Sequence, residues 1–292
     1  MATRLADDLV AVVNNPRSSL ADAALVIARI EYPHLNPAPY LERLDRLAVA
    51  VRTRIDRHVE LTGERSVRSR ARAISDLLFA EEGFRGAGAH YSDPRNSCLN
   101  QVLDRHMGIP ISLSVLYIET ARRAGVAADG VSYPGHFLVR YPETEDIYGP
   151  AVIVDPFGGG TILSEAEYRI LLQQQANGDI PFRRALLAPA SRQQVVVRML
   201  LNLKHLYVHM RSFPQARQVA EMLVTLDPAA LNELRDRGLL AYNLNDVSGA
   251  LEDLQTYLKL STMSASDDES KAEQRQIWEH VKTLRRRVAS LN

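Results

Sequence analysis

Apolar side chains recur every three or four residues along the first part of the chain: Leu20, Leu25, Val26 and Ile30, then Leu41, Leu44, Leu47 and Val51. That spacing predicts two amphipathic helices, each with one buried stripe. Ser18 or Ser19 is placed to cap the first, and Pro33, Pro37 and Pro39 separate it from the second. A third helix is predicted near Val67 to Phe79, leading into a loop marked by glycines, Asp93-Pro94 and Asn96. The segment from Ser97 to Met107 reads as a short helix ended by Gly108. Pro110 then opens a helix that runs to about Ala124 and stops at Gly125.

Beyond residue 125 the period changes. Val131 to Tyr133, His136 to Tyr141 and Ala151 to Val154 are short β-branched or aromatic runs bounded by Pro134-Gly135, Pro142 and Asp155-Pro156. They read as adjacent antiparallel strands, with Gly158 to Gly160 as the turn leaving the last. Helices first and a small sheet after them make an α+β order, not an alternating one.

A linker from Arg183 to Ala190 leads to an all-helical region with an internal repeat. The segment starting at Leu201 lies over a later one at an offset of 34, pairing Leu206 with Leu240, Ala216 with Ala250, Leu223 with Tyr257 and Leu226 with Leu260. That offset, with Asp227-Pro228 closing the first unit, resembles tetratricopeptide repeats. Two such units bury little alone, so the tail carrying Ile277, Trp278, Val281, Leu284 and Val288 is predicted to cap them, after a polar loop over residues 264–273. The expected domains are 1–188, α+β, and 189–292, all-α.

Composition narrows the function classes. Lys plus Arg and Asp plus Glu both number 35, so no net charge draws the chain to nucleic acid or an anionic membrane. No run approaches the ~18 apolar residues of a membrane span. Asp7 and Asp8 fall where a signal peptide would be apolar. The single cysteine, Cys98, can form no intrachain disulfide and points to a reducing, cytoplasmic setting. No cofactor or metal is expected. His205 and His209, four apart, lack the Glu of a metalloprotease motif and a nearby third ligand, and the glycine run after Phe157 lacks the Lys-Ser/Thr of a phosphate loop. The arginines between Arg52 and Arg72, and Arg285 to Arg287, read as solvated helix faces.

The sheet carries the sharpest chemical signal. His136 is expected to begin one strand after a Pro-Gly turn, and Asp155 to end its neighbour. A carboxylate so placed can fix an imidazole tautomer, which is two-thirds of a nucleophile triad. It can equally be a satisfied polar contact that pins two strands. A nucleophile would sit at a helix start facing the sheet, where free amides lower a thiol pKa.

The order helix, RRAG, strand, GHFLVRY, strand, VDPFGG resembles the transglutaminase-like superfamily, in which a catalytic Cys at a helix start is followed by a strand His and an Asp before Pro. The segments LLFAEEGFRGAG, YSDPRNSCLNQVLDRHMGIPISLSVLYIETARRAGVAADGVSYPGHFLVRY and IVDPFGGG look like the bacterial SirB-type group, which joins such a core to tetratricopeptide repeats, over roughly residues 15 to 290. The resemblance implies His136 and Asp155 as the superfamily His and Asp. It places the nucleophile near Pro110 to Ser112, where this chain has no cysteine. Ser112 and Ser114 are poor substitutes, because a hydroxyl needs a stronger base arrangement than a thiol. Cys98 lies on a different predicted helix and reads either as a small packed residue or as a displaced nucleophile.

Two functional readings follow. One is a cytoplasmic pseudoenzyme whose repeats offer a groove to a protein or peptide partner, or to a second copy of the chain. The other is a thiol hydrolase or acyl transferase with Cys98 as nucleophile, His136 as base and Asp155 as orienter.

Overall fold

The structure, a computed structural model, describes residues 2–175, 180–261 and 268–289. It divides into two compact units, Val12–Met199 and, separately, the residues up to Ala11 with those from Leu200 onward. Helices α1 (Ala2–Asn14) and α8 (Arg192–His209) run through the two division points.

Within the larger unit, α2 (Leu20–Ala28) starts where a serine can cap it. The Ser19 hydroxyl accepts from the Asp22 N–H at 3.1 Å, and the Asp22 carboxylate accepts from the Ser19 N–H at 2.7 Å. The next free donor, Leu20 N–H, goes to the buried Glu119 carboxylate at 3.0 Å. Helix α3 (Ala38–Thr62) buries Leu44, Leu47 and Val51, as their spacing predicts. Helix α4 (Val67–Ser75) passes into a π-helical turn over Asp76–Glu81.

The short helix is shorter than predicted. Pro94–Ser97 form a 3-10 turn, and α5 covers only Leu99–Arg105. His106, not Gly108, ends it in the left-handed conformation (φ 53°), with its ring stacked on Phe84 at 4.3 Å. That stacking offsets backbone strain that a sequence reading assigns to glycine. Gly108 belongs instead to a parallel pair, β1 (Arg85–Gly86) with β2 (Met107–Gly108).

Helix α6 (Pro110–Arg123) is the centre of the unit. Pro110 sets its first turn, and every residue from Pro110 to Ala121 is buried, the signature of a helix packed on all sides. Four antiparallel strands follow in order: β3 (Asp129–Val131), β4 (Leu138–Pro142), β5 (Ala151–Asp155) and β6 (Thr161–Leu163). β4 begins two residues later than expected, so His136 stands in the turn before the strand rather than on it. Register pairs Val139 with Val154 and Tyr141 with Val152 on the face toward α4 and α6. Arg140 and Ile153 lie on the opposite face, which α7 (Glu165–Gln175) covers with Leu172. Leu172 is the one buried residue among the described side chains of α7, too thin a stripe to predict a helix from.

The smaller unit shows the repeat as geometry. Helices α8 and α9 (Phe213–Leu226) turn at Arg211 (φ 57°). Helices α10 (Leu231–Asn243) and α11 (Val247–Ser261) turn at Asn245 (φ 58°), at the same offset of 34. Ser212 N–H donates to Tyr207 C=O at 2.8 Å, and Asp246 N–H to Ala241 C=O at 3.0 Å, the same bond twice. Ala216 and Ala250 are fully buried. Gly238 lets α11 approach, since a Cβ there would lie 2.8 Å from Leu254. In the first repeat Lys204 occupies that position, buried, with its ammonium 2.6 Å from both Glu233 and Asp236. Helix α12 (Asp268–Ala289) packs Ile277, Val281 and Leu284 against the second repeat, but Trp278, expected on that buried face, is 42% exposed. Of the polar loop expected at 264–273, residues 264–267 lie outside the described residues, and the chain from Asp268 on is helical.

Candidate functional site

The corner between β4 and β5 is built by two turns. Pro134-Gly135, with Gly135 in the left-handed region (φ 68°), reverses the chain, and His136 N–H closes the turn on Tyr133 C=O at 3.0 Å. The imidazole then points across the sheet end, its Nε2 2.9 Å from Asp155 Oδ1. Asp155 is fixed in return by an Asx turn, in which its Oδ1 also accepts the Phe157 N–H at 3.0 Å. Its Oδ2 needs the bare backbone of Gly158, where a Cβ would lie 2.8 Å away. Phe157 stands edge-on to the imidazole at 5.9 Å between centroids.

Both members of the pair are buried, His136 at 6% exposure and Asp155 at 9%. A carboxylate that already accepts a backbone N–H acts as an acceptor toward the ring, so Nε2 is the donor in this contact. Nδ1 makes no hydrogen bond among the described residues. Chemically, the corner offers an imidazole oriented through one ring nitrogen, with the other open to a hydrogen bond.

The position where resemblance places a nucleophile is occupied by capping groups. Ser112 Oγ donates to Asn96 C=O at 2.6 Å and accepts from Ile109 N–H at 3.0 Å, closing the first turn of α6. Ser114 Oγ donates to Phe137 C=O at 3.3 Å. Both hydroxyls are buried.

Cys98 is 1% exposed at the start of α5, its thiol 3.6 Å from Pro94 C=O. Burial, then the nearby Glu31 and Asp93 carboxylates, push its pKa up to about 12. Activation of a thiol needs the reverse, a cation or a helix amide that favours the thiolate. With tenfold per pH unit, roughly one thiol in 10⁵ is ionised near neutrality. No hydrogen bond, ion pair or ring contact joins Cys98 to His136 among the described residues. Of the three candidate residues, His136 and Asp155 meet, and Cys98 stands in other surroundings.

Comparison with known proteins agrees with this frame. A family model described as the transglutaminase-like superfamily matches residues 38–201. The chain belongs to that superfamily. A tetratricopeptide-repeat model matches residues 203–286 of the same chain. A UPF0162 protein of Xylella fastidiosa is 39% identical over 86% of both chains, and Protein SirB1 of Salmonella typhimurium is 26% identical over 63% of this chain and 66% of its own. F-box only protein 21 of Homo sapiens is 34% identical over 45% of this chain, which is 20% of that protein. A transglutaminase-like α+β part followed by repeat helices is therefore the architecture of a SirB-type group.

Sequence reasoning missed the support around the pair. Phe157 and Gly158 are legible in hindsight as the residues an Asp-Pro Asx turn must place against its own carboxylate. His205 and His209 are exposed on α8. Among the described residues no group of three His, Cys, Asp or Glu side chains gathers as a metal would require, and no helix is long and apolar enough to cross a membrane.

Proposed function

We propose that this transglutaminase-like protein works in the cytoplasm as a binding or regulatory protein, engaging a protein or peptide partner through its repeat helices rather than by thiol chemistry. The observation that carries the reading is the state of Cys98: buried, bonded to a carbonyl, beside two carboxylates and with a pKa raised to about 12. The helix-capping bond of Ser112 and the bond of Ser114 to Phe137 C=O support it, since neither hydroxyl is spare for attack. In this reading His136 and Asp155 serve as a rigid corner of the sheet. The repeat unit supplies the surface, with exposed apolar side chains at Val208 on α8, Met210 in the turn after it and Trp278 on α12.

The test is a paired assay on the full chain. Wild type and Cys98→Ala are compared for hydrolysis and acyl transfer on glutamine-containing peptides and thioesters, and for partner capture by a photocrosslinker placed at Val208. The reading expects no Cys98-dependent turnover and the same crosslinked partner with both proteins. Turnover that disappears with Cys98→Ala establishes the hydrolase or acyl-transferase reading with Cys98, His136 and Asp155 in its place.

A further inference from the structure

Arg140 is the residue of the GHFLVRY strand that neither the His136 corner nor the repeats use. It sits in the middle of β4, on the face turned to α7, and is only 2% exposed. A guanidinium stays charged at any physiological pH, so burial normally comes with a carboxylate partner. Among the described residues Arg140 has none. Its Nη1 donates to the carbonyls of Ile147 and, at 3.1 Å, Leu187, while its Nε is buried with no acceptor. Two carbonyls hold the group in place without neutralising it.

The unsatisfied guanidinium borders a cavity of 230 Å³ between the β4–β5 connection and the start of α7. Arg184 adds a second guanidinium to the lining, and Tyr168 an aromatic wall. Glu143 and Glu165 line it as well, Glu165 with Arg169 2.6 Å away. Two cations, one of them buried and without counter-charge, call for an anion. The two carboxylates disfavour a dianion such as phosphate and leave room for a single negative charge. The volume falls below the ~300–1,000 Å³ of drug-sized sites, which limits the occupant to a few heavy atoms beyond its acid group.

We propose that this cavity is a binding site for a small monocarboxylate, held by the Arg140 and Arg184 guanidiniums. The carboxylate supplies the counter-charge that the two carbonyls on Nη1 do not. Two sources supply that chemistry: a free α-amino acid, whose ammonium would face Glu143, and the carboxyl terminus of a peptide.

The test is isothermal titration of the full chain with glycine, N-acetylglycine, glycylglycine, glycinamide and inorganic phosphate. Saturable binding is expected for the carboxylates and not for glycinamide, with phosphate weaker than they are. Arg140→Met is expected to weaken carboxylate binding at least about tenfold, equivalent to about 1.4 kcal/mol. Arg184→Gln, an exposed change that leaves the fold alone, should weaken it about threefold. If Arg140→Met does not fold, Arg140→Lys keeps the charge, loses the planar guanidinium that the two carbonyls hold in place and should still bind more weakly. Glycine stronger than N-acetylglycine, with the gain removed by Glu143→Gln, identifies a free amino acid. N-acetylglycine or glycylglycine at least as strong as glycine identifies a peptide terminus. The proposal is overturned if no carboxylate binds saturably by about 10 mM, if phosphate binds more tightly, or if binding is unchanged in both arginine variants.

Discussion

Cys98 and His136 are both buried polar groups in the same unit, yet their surroundings differ in kind. Around Cys98 the neighbouring charges are the carboxylates of Glu31 and Asp93, the thiol faces a carbonyl, and the proton is held. Around His136 a single carboxylate is aligned with one ring nitrogen, an Asx turn fixes that carboxylate, and the other nitrogen makes no hydrogen bond among the described residues. Burial is common to both. What separates them is the direction of the polar groups packed beside each: a carboxylate aimed at the imidazole, a carbonyl and two carboxylates around the thiol.

The largest expected effect comes from breaking the corner. Asp155→Ala leaves His136 Nε2 and the Phe157 N–H without their partner in a buried site, and should lower unfolding free energy by about 3 kcal/mol in urea denaturation. A loss under about 1 kcal/mol would mean that the pair is not the pin described. A double-mutant cycle sharpens the contrast. His136→Ala with Asp155→Ala should show a coupling of about 2 kcal/mol, whereas His136→Ala with Cys98→Ala should be additive within about 0.5 kcal/mol. Coupling between Cys98 and His136 as large as that within the pair would place the thiol in the corner.

The pH dependence of stability gives a smaller signal of known sign. Cys98 has its pKa raised from 9.0 to about 12, so folding favours the protonated thiol. That contribution is complete below pH 9 and is lost as pH rises toward the folded value, because the unfolded chain releases the proton first. Between about pH 9 and pH 10, wild type should lose about 1 kcal/mol that Cys98→Ala does not lose. Tyr117, Tyr133 and Tyr141, also raised by burial from 10.0, add their own loss above that window. Equal slopes for wild type and Cys98→Ala would contradict the buried, carboxylate-flanked thiol.

The helices of the core were legible because their stripes are one-sided. Leu44, Leu47 and Val51 on α3 repeat at helical spacing, and Ser19 and Asp22 form a capping box in sequence as in space. Helix α1 carries the same kind of stripe, with Leu5, Leu9 and Val13 buried at four-residue spacing, but without a cap or breaker in sequence to announce its start. The end of α5 departs from the sequence pattern because a histidine takes the left-handed position that sequence rules give to glycine. Three strands were foreseen and β6 was not, its three residues too few for a period. The His136–Asp155 contact was readable from two turns flanking two strands. The buried charge of Arg140 was not, since an arginine amid strand residues looks the same whether its head reaches solvent or the interior.

The most direct test of the central claim is the pH–rate profile of Cys98 alkylation by iodoacetamide in the native full chain. A thiol held protonated by burial and carboxylates should react slowly near neutrality, with a rate that climbs about tenfold per pH unit up to about pH 9 and shows no plateau below it. Rapid alkylation that levels off by about pH 6, and that His136→Ala slows, would show an imidazole-activated thiolate and contradict the account.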